Sequence, residues 1–176
     1  MVISAPQLLT GCHQLGDFNC TEAELNDWLR QRALKNQSSG ASRTFVVCSG
    51  DRVIAYYCLA MGAVNASVAP GKVRRNMPDP IPVAVIGRLA VDQNWEGQGI
   101  ATGMLKDAVL RVIQISESIG VRAILVHAIS QKAKSFYLRR GFLESSVEPM
   151  TLMLPMQDAI KTYLATLGKT VPEEGH

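Results

Sequence analysis

The sequence predicts an α/β chain of the mixed, α+β kind, with a partly antiparallel sheet flanked by helices. Two apolar runs, Arg43–Cys48 and Val53–Met61, are joined by the turn Ser49-Gly50-Asp51-Arg52, which reads as a hairpin. From Pro82 onward, strand-like and helix-like segments alternate. The chain has 176 residues, 47% hydrophobic and 19% charged, a balance that excludes disorder and fits one domain with a real core. That domain is expected over residues 1–167, with a flexible tail over 168–176.

Thr21-Glu22-Ala23-Glu24 has the form of a capping box. Leu25, Trp28, Leu29 and Ala33 follow at helical spacing, which predicts one amphipathic helix over 22–36. Residues 37–42 read as a loop before the hairpin. Residues 62–81 hold three prolines and little periodicity, so a long irregular loop with at most one helical turn is expected there. Pro82–Val91 reads as the central strand, and 98 to about 119 as a long helix ended by Gly120. A strand over 122–128, a short helix over 131–140, a strand over 150–154 and a helix over 158–167 complete the chain.

Composition narrows the class further. No run of eighteen apolar residues is present, which argues against a membrane span. Met1–Pro6 lacks the charged and apolar regions of a signal peptide, so a cytoplasmic protein is expected. Cys12, Cys20, Cys48 and Cys58 are widely spaced, and His13, His127 and His176 form no ligand pattern. Neither metal nor disulfide is expected, and Cys48 and Cys58 read as buried thiols. The net charge of +3 does not announce a nucleic-acid binder. Arg30, Arg32, Lys35, Arg43, Lys72, Arg74, Arg75 and Arg88 nevertheless cluster in two stretches. Such a set is either a phosphate-binding face or a solvated surface.

The segment from Val85 to Gly103 is the most informative. An apolar strand runs into a polar turn, then a loop with Gly97, Gly99 and Ala101, then the long helix. A bare helix N-terminus presents unpaired N–H groups and positive dipole charge, which suits a pyrophosphate. The loop lacks the Lys-Ser/Thr ending of a P-loop and the third glycine of a dinucleotide fingerprint. A plain strand-to-helix turn would read the same way.

Further along, the strand Arg122–Ala128 and the run Phe136-Tyr137-Leu138-Arg139-Arg140-Gly141-Phe142 resemble, with that loop, the core of the GNAT acetyltransferase superfamily. The superfamily loop is Gln/Arg-x-x-Gly-x-Gly/Ala, matched here at Gly99 and Ala101, with Glu96 departing from the first position. The resemblance implies the GNAT fold, a mostly antiparallel twisted sheet, and acetyl-CoA as co-substrate. It implies a cofactor site of Leu89, Ala90, Val91, Glu96, Gly97, Gln98, Gly99, Ile100, Ala101, Thr102, Ser130, Ala133 and Phe136. Within that frame Tyr137 is the expected general acid for the departing thiolate, since a phenol near about 10 stays protonated at neutral pH. A backbone N–H of Leu89 or Val91 is expected to polarise the carbonyl.

A general base is hard to find. Asp92 and Glu96 lie close to the phosphate loop, and His127, in an apolar run, reads as a core histidine. An α-amine, at about 7.7–8.0, needs a base less than a lysine amine at about 10.4. The missing base therefore favours an α-amino acceptor.

Several longer segments resemble a narrower group, the TacT/AtaT-type toxins of type II toxin–antitoxin modules. They are Phe18-Asn19-Cys20-Thr21 with Leu25-Asn26-Asp27-Trp28-Leu29, Ala41–Val46, Arg74–Pro82, Gly87–Asp92, and Leu105-Lys106-Asp107-Ala108. Together they lie within residues 7–156. The resemblance implies acetylation of the α-amine of the amino acid on charged tRNA, which blocks translation. It also implies a ribbon-helix-helix antitoxin, binding of operator DNA through the toxin–antitoxin complex, and a homodimer. It gives Lys35, Arg74, Arg75 and Arg88 a task on the tRNA phosphates. The competing readings are an acetyltransferase for a small amine or protein N-terminus, and a non-catalytic acetyl-CoA- and protein-binding module.

Overall fold

The structure, a computed structural model, describes residues 2–165. The expected tail and the last residues of the expected C-terminal helix lie outside the described residues. In chain order the elements are β1 (Gln7–Leu8), α1 (Ala23–Gln31), α2 (Ala33–Ser39), β2 (Arg43–Ser49), β3 (Arg52–Val64), α3 (Gly71–Arg74) and β4 (Ile81–Val91). A 3-10 turn at Gln93–Trp95 leads to α4 (Ile100–Ser116), β5 (Ala123–His127), α5 (Gln131–Leu138), β6 (Leu143–Glu144), β7 (Thr151–Pro155) and α6 (Met156–Ala159), which continues as a π-helical turn over Ile160–Leu164. The strands are hydrogen-bonded in the order β1-β2-β3-β4-β5-β7-β6. The β1/β2, β2/β3, β5/β7 and β6/β7 pairings are antiparallel.

The chain divides into two compact units. The first comprises the chain up to Ala60 together with Ile86–Ala108. Its core holds Leu25, Trp28 and Leu29 from α1, Ala33 from α2, Val46 and Cys48 from β2, Val53, Tyr56 and Cys58 from β3, and Ala90 from β4. Tyr56 is fully buried, stacked on Trp28 at 5.9 Å and edge-on to Phe18 at 5.5 Å. Its hydroxyl donates to the Leu25 carbonyl at 2.7 Å, so the buried phenol is satisfied.

Three expectations for this unit are corrected. The single helix over 22–36 is two helices, broken at Arg32 where φ is −120° and ψ −31°. The capping box does not form: Glu22 is the N-cap and makes no side-chain cap bond. Asn26 holds that corner instead. Its carboxamide accepts from the Cys20 N–H at 2.8 Å and donates to Asn19 Oδ1 at 3.0 Å. The second helix runs to Ser39, into what the sequence suggested was loop, and closes on Gly40 at φ 82°.

The second unit comprises Met61–Val85 and the chain from Val109. Its core gathers Ala69 and Val73 around α3 with Ile81 and Val83 of β4, Ala123 and Leu125 of β5, and Met153 of β7. β3 reaches Val64, so the expected loop over 62–81 shrinks. Gly62 does not end the strand. A Cβ there would stand 3.1 Å from Val85 Cγ2, so glycine lets the backbone pass close to β4. The C-terminal helix begins at Met156, two residues before the expected start, because Pro155 sits at its N-cap. β1, β6 and the 3-10 turn were not expected from the sequence; two-residue strands carry no readable alternation.

Candidate active site

In the first unit the site is built on the lower half of β4. Gly87 is required by close approach: a Cβ there would lie 2.9 Å from the Cys58 sulfur on β3. Arg88 lays its guanidinium over Trp28, 4.3 Å from the ring centroid. Burial pushes the Cys58 thiol up, and the adjacent Arg88 partly offsets this. Ala90 faces the core, while Leu89 and Val91 are half-buried on the alternate positions.

The strand then ends in a knot around Asp92, which is 1% exposed. Its carboxylate accepts from the Asn94 N–H at 2.9 Å and the Asn19 N–H at 3.0 Å. The Gln93 N–H donates to the Asn19 carbonyl at 2.9 Å. The Phe18-Asn19-Cys20 segment and Asn26 thus form a polar brace that fixes where the glycine loop starts. Asp92 is structural, not a base.

Gly97 and Gly99 both lie in the left-handed region, at φ 78° and 80°. No atom lies within 4 Å of where a Cβ would stand at either. These glycines are therefore dictated by backbone conformation, not by crowding, and the space before the loop is open. Glu96, Gly97, Gln98 and Gly99 are exposed, Ile100 and Ala101 half-buried and Thr102 exposed. The loop feeds directly into the 17-residue α4, two residues later than the expected start. Such a cradle fits a pyrophosphate: two glycines in left-handed backbone with no Cβ over them, and the dipole of a long helix behind them. Tyr57 of β3, stacked on Phe45 at 5.2 Å, donates its hydroxyl to Asp107 and ties α4 to the sheet.

In the second unit, α5 carries the candidate acid. Ser130 caps it by accepting from the Ala133 N–H at 3.1 Å. Gly141, at φ 91°, terminates it, and the Phe142 N–H returns to the Tyr137 carbonyl at 3.3 Å. Tyr137 is buried, with Phe136 and Phe142 packed edge-on at 5.2 and 5.3 Å. Burial pushes its phenol above the ordinary tyrosine value of 10.0, so it stays protonated throughout the neutral range. Arg140 stacks over Phe136 at 3.7 Å.

His127 does not fit the core-histidine reading. It is exposed, at the end of β5, directly opposite Thr151 of β7. Nδ1 lies 3.0 Å from the Thr151 hydroxyl, which itself donates to Glu148 Oε2 at 3.0 Å. The sequence signal was faint, because Glu148 and Thr151 join His127 only through strand register.

The basic residues are divided between the units. Lys35 is exposed on α2 and Arg88 is half-buried, both in the first unit. Arg74 and Arg75 are exposed at the end of α3 in the second. Arg74 also donates to the Ala69 carbonyl at 3.3 Å. Lys72 is spent on Asp158, at 2.7 Å. Among the described residues no cluster of His, Cys, Asp and Glu could hold a metal ion, and no helix is long and apolar enough to cross a membrane. Cys20, Cys48 and Cys58 are buried, and all four cysteines are free thiols.

In chain order the site thus comprises a strand, a left-handed glycine pair and a long helix, then a strand and a short helix ending in Tyr-x-x-x-Gly-Phe. Residues 7–142 match the model of the Acetyltransferase (GNAT) family, and the chain belongs to that family. It is similar to a tRNA-acetylating toxin of Mycobacterium tuberculosis (strain ATCC 25618 / H37Rv), 47% identical over 89% of this chain and 94% of that protein. Among solved structures it resembles AtaTR bound with AcCoA, with TM-score 0.80 and 25% identity over 92% of this chain and 98% of that one. It also shares the fold of AtaT complexed with acetyl-methionyl-tRNAfMet, with TM-score 0.84 and 24% identity over 96% of this chain and 100% of that one.

Proposed function

We propose that this protein is a toxin that transfers acetyl from acetyl-CoA to the α-amine of the amino acid on charged tRNA, and so blocks translation. The observation that carries the reading is the left-handed glycine pair opening α4, in a chain whose Tyr137 is held protonated by burial. The 47% identity to a tRNA-acetylating toxin supplies the acceptor class.

The residues divide the task. Backbone N–H groups of Gly97, Gln98, Gly99, Ile100, Ala101 and Thr102 hold the pyrophosphate, with Glu96 just before them. Ser130, Ala133 and Phe136 contribute further contacts to acetyl-CoA, and an N–H of Leu89 or Val91 polarises the thioester carbonyl beside Ala90. The neutral amine attacks the carbonyl carbon, the new C–N bond forms, the C–S bond breaks and Tyr137 gives its proton to the thiolate; the nitrogen sheds one proton to solvent, from which the Tyr137 phenolate is reprotonated. Lys35, Arg74, Arg75 and Arg88 serve the tRNA phosphates.

The reaction belongs in the cytoplasm, where charged tRNA is. A ribbon-helix-helix antitoxin neutralises the toxin and carries the complex to operator DNA. The toxin acts as a homodimer, with residues 1–167 as one functional domain.

The test incubates purified protein with radiolabelled acetyl-CoA and total charged tRNA, with uncharged tRNA as control. Label on the charged pool alone, released with the amino acid by mild base, is the expected result. Label on small amines or protein N-termini instead, or acetyl-CoA binding without transfer, overturns it.

A further inference from the structure

In the second unit, α3 is a single turn, so all four of its carbonyls must find donors beyond its own residues. The backbone supplies two. The Arg75 N–H donates to the Gly71 carbonyl at 3.1 Å, and the Met77 N–H donates to the Arg74 carbonyl at 3.1 Å. The remaining two are taken by one side chain from far along the sequence. Arg122 Nε donates to the Val73 carbonyl at 2.9 Å, and Nη2 donates to the Lys72 carbonyl at 3.1 Å. Arg122 is itself fixed by its backbone. Its N–H donates to the Pro82 carbonyl at 2.9 Å, and its carbonyl accepts from the Met156 N–H at 3.0 Å.

The segment that α3 leads into is therefore held on both sides. Val73 is buried in the core of this unit, and Met77 packs against the same core. Asn76 between them turns the chain through the left-handed region, at φ 58°. Lys72 is bound to Asp158 at 2.7 and 2.9 Å. This frame displays two exposed arginines. Arg74 returns one N–H to the Ala69 carbonyl at 3.3 Å. Arg75 has no side-chain partner among the described residues, so its guanidinium keeps its donors for a ligand. Open carbonyl oxygens beside it would repel a phosphate, whereas carbonyls bonded to a guanidinium do not. A backbone ordered in advance also loses less entropy on binding.

We propose that Arg122 is a positioning residue for the RNA grip: by binding the Lys72 and Val73 carbonyls it presets the backbone of Arg75, which contacts a phosphate of the charged tRNA. Arg122 acts through Arg75 and touches no phosphate itself. The proposal rests on the aminoacyl-tRNA reading above.

The experiment measures the affinity of the full chain for total charged tRNA at several salt concentrations. It compares the parent, Arg122→Lys, Arg75→Ala and the double variant, with acetyl-CoA affinity in parallel. Lysine keeps the charge of Arg122 and loses the fork that spans two carbonyls. Arg122→Lys is expected to weaken tRNA binding about five- to tenfold, the worth of one lost charged contact. The slope of log affinity against log salt should fall by about 0.7–0.9, and acetyl-CoA affinity should not change. In the Arg75→Ala background the same lysine should cost less than twofold, because the residue it serves is gone. Arg122→Lys within twofold of the parent overturns the proposal and leaves the function intact. So does a loss in the double variant equal to the sum of the two single losses, which marks a direct phosphate contact, and so does a matching loss of acetyl-CoA affinity, which marks a general prop of the fold. A parent protein that moves no acetyl to charged tRNA overturns the aminoacyl-tRNA reading together with the proposal.

Discussion

Tyr137 and Gly87 are the two single residues whose chemistry is most constrained. Tyr137→Phe removes the hydroxyl without changing the packing against Phe136 and Phe142. Folding and acetyl-CoA affinity should stay near normal while kcat falls about 100-fold or more, the worth of a positioned general acid. Equal turnover in the two proteins would remove Tyr137 from the mechanism. Because burial raises its phenol, no alkaline loss of activity from Tyr137 should begin at the ordinary tyrosine value. Gly87→Ala is a stability probe. The new methyl would meet the Cys58 sulfur at 2.9 Å, so the strands must part or Cys58 must turn. A loss of about 1–3 kcal/mol in urea unfolding is expected. A variant as stable as the parent would mean that β3 gives way without cost.

At the scale of elements, the joint between β4 and α4 is the proposed acetyl-CoA cradle. Gly99→Ala forces an L side chain into φ 80°, at a cost of about 1–2 kcal/mol, although no atom obstructs the methyl. The loop should relax away from its left-handed form, and calorimetry should show acetyl-CoA affinity about tenfold lower. Asp92→Ala acts one step earlier. It leaves the N–H groups of Asn94 and Asn19 without their acceptor, at a cost of about 1–3 kcal/mol. The existence of a loop here was legible, since glycines between a strand and an apolar helix have few other uses. The brace behind it was not. Thr21 and Glu24 fit the local capping pattern, yet Asn26 holds that corner through bonds to Asn19 and Cys20. Local pattern lost to a tertiary bond network.

At the scale of the whole molecule, two responses to solvent are expected. Burial raises the thiol of Cys58 and the phenols of Tyr56 and Tyr137. Above the ordinary thiol value of 9.0 the unfolded chain therefore loses protons that the folded chain keeps. Stability is present in full below that value and declines as pH rises past it, a trend that thermal unfolding between pH 7 and pH 11 would reveal. Salt is the second probe. If Arg74, Arg75, Lys35 and Arg88 contact phosphates, tRNA affinity falls linearly with log salt. Each alanine substitution then reduces the slope by about 0.7–0.9, whereas acetyl-CoA affinity in Lys35→Ala or Arg75→Ala does not change. Slopes identical to the parent would return those residues to the ordinary surface.

Sequence by itself determined the α/β class, the hairpin, the glycine loop, the helix that carries Tyr137 and the family, because each is written in residues that are neighbours along the chain. Periodicity, turn residues and short motifs act over a few bonds, and no other part of the molecule is needed to read them. Tertiary structure alone decided the break at Arg32, the passage of β3 through Gly62, the buried role of Asp92, and the union of His127 with Thr151 and Glu148. Those depend on strand register and close backbone approach, which join positions far apart in the chain and leave no local mark on the residues involved.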